Sequence, residues 1–344
     1  MYQMFMARKK LYEEGGAKQP LPGSPPTLGL NSKVPLPISV SGNKSAFVQH
    51  SAHSFVLQRV SDGVVVDSYN GTRAFDNVAS TPKLLIIAQI QSEFRAGRLK
   101  LDEKVAVTKQ NSEDGDAQKR VGQSYTIRSL IDSTLRYSEN TAVNMLIDRL
   151  GGLGATTQAI KNSGYTGTTI SRYFNISKQQ GAGNRSSAED VNKGLITIWK
   201  GNDEISQIAK HTLNDAHELN NDGSRGASTK FGFTGEVATK IGNTSKVIAA
   251  ASIVNINGQQ YGLTQYYLRG DTSASRANLK SATDEYIKKV STQLHSRISP
   301  TQADAILNSP SREMQVALAK PLPAPINKVA TIKYGAPQNT APVV

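Results

Sequence analysis

Cysteine is missing from all 344 residues, which removes disulfides, thiolate metal sites and a thiol nucleophile together. A cysteine-free chain suits a compartment where stray thiols are oxidised. Long apolar runs are missing too. The longest, such as Leu84 to Ala88 and Val247 to Ala251, fall far short of the roughly 20 residues of a membrane helix, so no membrane span is expected. Aromatic residues make up only 6% of the chain, and it carries no zinc-finger spacing, aromatic RNA-binding motif or recognition helix. A phosphate-binding Gly-x-x-x-x-Gly-Lys-Ser/Thr loop, a dinucleotide fingerprint between strand and helix, His-Glu-x-x-His and Gly-x-Ser-x-Gly are likewise absent. The histidines, His50, His53, His211, His217 and His295, are scattered, and the short His50–His53 pair falls in an edge or linker region. No cofactor and no resident metal are expected.

Positive charge is in excess: 40 Lys and Arg against 27 Asp and Glu give a formal +13. Such a surface attracts polyanions. Without nucleic-acid motifs no specific nucleic-acid partner is expected, whereas an anionic cell-wall polymer stays a candidate. An unspecialised basic surface is the simplest reading.

The chain is long enough, and at 38% hydrophobic rich enough, for one large or two medium domains. Residues 1–44 begin polar and basic and then carry Pro20, Pro22, Pro25, Pro26, Pro35 and Pro37. That spacing denies regular hydrogen bonding and predicts an extended N-terminal extension. It holds no apolar core of signal-peptide length, so no export signal is visible; a processed, truncated or replaced start stays open. Residues 299–344, with Pro321, Pro323, Pro325, Pro337 and Pro342, read as a flexible C-terminal tail.

Between them, Phe55 to Val60 and Val64 to Tyr69 read as strands around the turn Ser61-Asp62-Gly63. Helical patterns run from Pro82 to Ala96, Ile127 to Leu135, Asn140 to Leu150 with a stop at Gly151-Gly152, Ala188 to Trp199, and Ser206 to His217. Strands return at Val237 to Ile241, Lys246 to Asn255 and Gln260 to Leu268, with a turn at Asn257-Gly258, before a helix from Ser273 to His295. Strands at both ends with helices between them predict one sheet assembled from distant segments. The expected domain is 45–298, with 45–80 and 230–298 forming an α/β part and 81–229 a mainly helical part.

Three segments carry candidate chemistry. Ser80-Thr81-Pro82-Lys83 precedes an apolar helical run, and Pro82 suits a first helical turn. A residue three positions on returns to the same face, so Lys83 can set its amine beside the Ser80 hydroxyl. Burial disfavours the ammonium and would leave an amine able to take the serine proton. The ordinary alternative is a serine cap followed by a snorkelling lysine. Tyr137-Ser138-Glu139-Asn140, between two helices, offers a hydroxyl to shuttle a proton and an amide to bind a substrate amide; both side chains could equally only cap the turn. Thr239-Lys240-Ile241-Gly242-Asn243 ends a strand, where Gly permits close approach and Lys supplies positive charge.

In order and spacing these pieces resemble the motifs of the penicillin-recognising serine enzymes, specifically the class A β-lactamase-like family, over about Ser45 to Ile298. The stretch from Tyr137 to Asp148, followed by Gly151-Gly152, is the most specific part. The resemblance implies an α+β fold, with a central antiparallel sheet flanked by helices, an all-helical subdomain and the active site in the cleft between. It implies Ser80 as acylated nucleophile, Lys83 as proton acceptor, Ser138 as proton shuttle, Asn140 as amide binder and Lys240 as anchor for a substrate carboxylate. Gly242 and Asn243 would border the substrate, and the backbone N–H groups of Ser80 and Asn243 would form the oxyanion hole. The implied substrate is a peptide or β-lactam-like small molecule, met outside the cytoplasmic membrane.

Two positions depart from the family. Its drug-hydrolysing members carry a deacylating Glu in an Arg-Trp-Glu-Pro-like setting. Here the segment from Ser171 to Lys178 has Arg172, Tyr173 and then Phe174 where the carboxylate belongs. The next acids, Glu189 and Asp190, suit the first turn of the following helix better than a displaced base. Ile241 replaces a Thr or Ser whose hydroxyl helps hold the substrate carboxylate, a loss of about 1.5 to 3 kcal/mol, unless Thr239, Thr244 or Ser245 compensates. Three readings follow: a penicillin-binding-type acyl-transfer hydrolase with little β-lactamase turnover, a non-catalytic binder of a wall polymer or protein on the same scaffold, and a true β-lactamase with a displaced base.

Overall fold

Apolar, β-rich segments at the two ends of the domain and 3.6-residue periodicity between them produce the order β1 (Ala52–Arg59), β2 (Val65–Tyr69), β3 (Ala74–Asp76), α1 (Lys83–Arg95), β4 (Lys104–Ala106), β5 (Ser124–Thr126), α2 (Ile127–Arg136), α3 (Asn140–Arg149), α4 (Gly152–Asn162), β6 (Arg185–Ser187), α5 (Ala188–Lys200), α6 (Glu204–Asn214), β7 (His217–Leu219), β8 (Arg225–Ser228), β9 (Glu236–Asn243), β10 (Val247–Ile256), β11 (Gln259–Leu268) and α7 (Arg276–Arg297). This is a computed structural model, and it describes residues 52–113, 119–174, 183–219, 225–244, 247–268 and 276–297. The proline-rich ends, His50, Asn175 to Lys178 and Ser245 lie outside the described residues, as do the side chains of His53 and His295.

The central sheet has five strands in the order β2-β1-β11-β10-β9, and every neighbouring pair is antiparallel. The β10–β11 hairpin turns at Asn257 and Gly258, whose φ angles of 52° and 77° suit the right-handed twist of the strands. Alternate residues of the sheet enter two cores. Val56, Ala249, Ala251, Ile253 and Tyr266 pack with α1, α2, α3 and α5. Phe55, Leu57, Ile248, Ala250 and Leu263 pack against Leu279, Tyr286, Ile287 and Val290 of α7.

Helix α1 is buried from Lys83 to Gln91. Leu84, Leu85, Ile86, Ile87 and Ile90 have no exposed surface, and burying each stabilises by about 1.5–3 kcal/mol. The chain entering this helix is therefore held rigidly. Among the described residues no helix is long and apolar enough to cross a membrane.

The elements differ from the sequence reading in three places. Helix α3 does end before Gly151-Gly152 as expected, but with φ angles of 96° and 91° the pair turns the chain into a further helix, α4, that the sequence reading lacks. Only Thr156 and Ile160 of that helix are buried, so its apolar signal is too weak to read. Helix α6 starts earlier and ends earlier than Ser206 to His217. The Asp203 carboxylate caps the Ser206 N–H at 2.9 Å, Asp215 leaves helical geometry, and His217 opens β7. The ribbons β3–β6, β4–β5 and β7–β8 use strands too short for any periodicity to register.

Candidate active site

Ser80 sits half-buried at the turn that feeds α1, and Lys83 N donates to Ser80 O at 3.3 Å, closing one tight turn between them. Neither half of the ordinary reading holds, for no side chain caps this helix start and Lys83 is 0% exposed rather than snorkelling. Its Nζ donates to Ser138 O at 2.5 Å and to Asn140 Oδ1 at 2.6 Å, with Ser138 Oγ at 3.4 Å. The first two partners only accept. Lys83 therefore donates to both of them, and the Ser138 hydroxyl stands beside its remaining valence.

Ser138 reaches Lys83 because its backbone is left-handed, with φ 59°, which aims both its carbonyl and its hydroxyl at the amine. Ala79, immediately before Ser80, is left-handed as well, with φ 56°. Each such non-glycine conformation costs of the order of 1 kcal/mol or more and persists only where the surroundings impose it. Below Ser138 the surroundings include a buried ion pair, Lys119 Nζ to Glu139 Oε2 at 2.5 Å, with side chains 4% and 2% exposed. Lys119 also donates to Ser133 Oγ at 3.2 Å and lies 4.8 Å from the centre of the Tyr125 ring. Glu139, read as a spacer between two functional residues, is thus an anchor.

Strand β9 forms the opposite wall. A Cβ on Gly242 would stand 2.8 Å from Ser80 N and 2.9 Å from Ala79 Cβ, so only glycine lets this strand lie against the Ser80 backbone. Because β9 is an edge strand, alternate N–H groups turn away from the sheet, a setting that suits the pairing of Ser80 and Asn243 backbone donors. Lys240 shares the Gly242 face. It is 2% exposed, donates to Ile241 O at 3.1 Å, and is brought by burial alone from its ordinary value down to about 7.

Ile241 points the other way and packs on the α7-side core. Thr239 does not compensate for the missing hydroxyl: it is 0% exposed, and its Oγ1 is bonded to Glu236 and to Ser252 Oγ at 3.0 Å. Thr244 Oγ1 accepts from Val247 N at 3.2 Å and holds the β9–β10 turn.

Phe174 closes the floor. Its ring centre lies 5.2 Å from Lys83 Nζ, and it is 8% exposed. The Asn144 side chain clamps its backbone on both sides, accepting from Phe174 N at 2.7 Å and donating to Phe174 O at 3.0 Å. Tyr173 donates its hydroxyl to Asp148, and Arg172 donates to Asn77 Oδ1 at 2.8 Å. Glu189 and Asp190 are engaged elsewhere, with Lys193 at 2.6 Å and Thr168 Oγ1 at 2.8 Å. Sequence reasoning missed another carboxylate, Glu113. Its Oε2 accepts from Asn140 Nδ2 at 3.4 Å, and its backbone N donates to Thr141 Oγ1 at 2.9 Å; no spacing rule connects it to the motif.

The structure thus gathers Ser80, Lys83, Ser138, Asn140 and Gly242 within one network of contacts and sets Lys240 and Asn243 on the bordering strand. A family described as the beta-lactamase enzyme family matches residues 44–298. A beta-lactamase of Proteus vulgaris is 35% identical over 95 residues, 26% of this chain and 34% of that protein. The matched segments span about a third or less of the curated relatives. Among solved structures, a mutant form of PBP-A, an acyl-enzyme complex with penicillin G, has a TM-score of 0.55 at 20% identity, covering 71% of this chain and 90% of that one. An ancestral class A beta-lactamase has a TM-score of 0.58 at 18% identity, covering 71% and 96%. At these identities the solved structures establish the fold: a central antiparallel sheet with helices, as in class A beta-lactamases.

Proposed function

The chain belongs to the beta-lactamase enzyme family, and we propose that within it this protein is a penicillin-binding-type serine acyl-transfer hydrolase. Its substrate is a cell-wall peptide or related amide or ester outside the cytoplasmic membrane, and its β-lactamase turnover is low. One observation carries the reading: the buried Lys83 amine, one turn from Ser80, is bonded to both Ser138 and Asn140, while the ring of Phe174 covers it.

In acylation, Ser80 Oγ bonds to the substrate carbonyl carbon as its proton passes to the neutral Lys83 amine. The oxyanion is held by the N–H groups of Ser80 and Asn243. As the C–N bond breaks, the leaving nitrogen takes the proton of Ser138 Oγ. Ser138 recovers one from the Lys83 ammonium, and the amine is restored. Asn140 orients the substrate amide, and Lys240 holds its carboxylate. Release of the acyl group needs an activated water, and a phenyl ring at position 174 supplies no base, so an acyl group from a β-lactam stays on the enzyme.

Incubation with a labelled penicillin tests this. A long-lived one-to-one adduct on Ser80, absent from Ser80→Ala, is expected. No adduct at any concentration would mean a binding protein, and rapid destruction of the drug would mean a working β-lactamase; either outcome overturns the reading.

A pH dependence follows from Lys240. Its ammonium binds the substrate carboxylate, and with a pKa near 7 in the free protein the charged fraction is full below that value. It falls about tenfold per unit above it. The second-order rate of adduct formation is therefore expected to decline above pH 7. Lys240→Arg, charged at every accessible pH, should abolish the decline, and a decline that survives this change would remove Lys240 from the role.

A further inference from the structure

Glu113 is the one carboxylate, among the described contacts, bonded to the side chain that this reading gives to substrate-amide recognition. Its Oε2 stands 3.4 Å from Asn140 Nδ2, on the far side of that amide from Lys83, which meets Asn140 Oδ1 at 2.6 Å. The Glu113 backbone is not loose there. Its N–H is tied to Thr141 Oγ1 at 2.9 Å in the first turn of α3, a turn with no acidic residue of its own, where the helix dipole favours a negative group. The side chain is half-buried, so its charge is felt by a ligand laid along Asn140. The bond to Asn140 is long and therefore weak, and the amide has a second N–H to offer a substrate carbonyl. Glu113 can thus keep its place when a substrate binds.

The charges along the cleft are then ordered. Among the described residues, Lys240 is the cation on the β9 wall, which this reading gives to the leaving-group carboxylate, and Glu113 is the anion beside Asn140, which it gives to the acyl half. This local sign opposes the +13 of the chain as a whole, which by itself would draw anions everywhere.

We infer that Glu113 is a specificity residue that selects acyl groups bearing an ammonium next to the bound amide carbonyl and rejects those bearing a carboxylate there. The substrate class is an amide or β-lactam whose acyl half carries a free amine, such as a peptide with an amino terminus or a diamino-acid side chain at that position. This inference rests on the acyl-transfer reading of the site above.

Three penicillins differing at one carbon make the test: benzylpenicillin with a neutral side chain, ampicillin with an α-amino group, and carbenicillin with an α-carboxylate. The second-order rate of adduct formation is measured with each, for the full chain and for Glu113→Gln and Glu113→Lys. One attraction lost and one repulsion removed at a half-exposed site amount to about tenfold, so the ampicillin-to-carbenicillin ratio should fall about tenfold in Glu113→Gln and invert in Glu113→Lys. The benzylpenicillin rate should change little. A purely structural role for Glu113 would slow all three probes alike and leave the ratio where it was, and that result overturns the inference. Absence of a benzylpenicillin adduct on the unaltered protein would instead refute the acyl-transfer reading, and this inference with it.

Discussion

Replacing Phe174 by Glu should shorten the life of a penicilloyl adduct on Ser80 by about a hundredfold or more, the lower end of what a positioned general base contributes. The backbone at this position is set by Asn144, which bonds both the N–H and the carbonyl of Phe174. A new side chain therefore starts from the same point and enters the space the ring now fills, 5.2 Å from Lys83 Nζ at its centre. A carboxylate there stands within reach of Lys83 Nζ, and a hydrogen bond from it offsets part of the desolvation; the carboxylate can then hold a water against the ester carbon. The substitution also removes a buried ring, so a lower melting temperature is expected alongside the faster release. Phe174→Leu removes the ring without adding a base and should leave the adduct as long-lived as before. The measurement is the decay of the adduct mass after unbound drug is removed. A Phe174→Glu protein that folds and acylates but releases no faster would place this loop outside the chemistry.

Lys119→Met should cost about 3–5 kcal/mol of folding stability, the usual cost of leaving one half of a buried ion pair alone. That is a large share of the roughly 5–15 kcal/mol by which a domain is normally stable. Glu139 is 2% exposed and cannot move to water without unwinding the turn that carries Ser138 and Asn140. The double change Lys119→Met with Glu139→Leu should recover most of the loss, because an apolar pair of similar volume needs no desolvation. Urea midpoints for the two single variants, the double variant and the unaltered chain close the cycle. If the single and double variants are equally destabilised, the contribution of this site is packing and not charge. Adduct formation should fall in the single variant even under conditions where it is folded, since Ser138 and Asn140 flank the anchored residue on either side.

Much of the scaffold was legible because it rests on local rules. The apolar run after Pro82 announced a buried helix, Asn257-Gly258 announced its hairpin, and β10 announced itself by an apolar stretch that only a central strand buries on both faces. What was illegible had little periodicity or no local cause. Helix α4 buries too few residues to show, the ribbon strands of three or four residues have no period, and the end of α6 depended on Asp215 leaving helical geometry.

The same division runs through the candidate site. Sequence alone determined the residue types and their order along the chain, because these are matters of composition and spacing, and its resemblance to the family marked Phe174 and Ile241 as departures from the family's pattern. The tertiary structure decided that Lys83 is buried on Ser138 and Asn140, that Lys240 is brought down to about 7, that Thr239 is spent on Glu236 and Ser252, and that Glu113 lies on Asn140. Each of these depends on segments 13 to 57 residues apart meeting in space, or on water excluded by neighbours from elsewhere in the chain. No local pattern encodes either one.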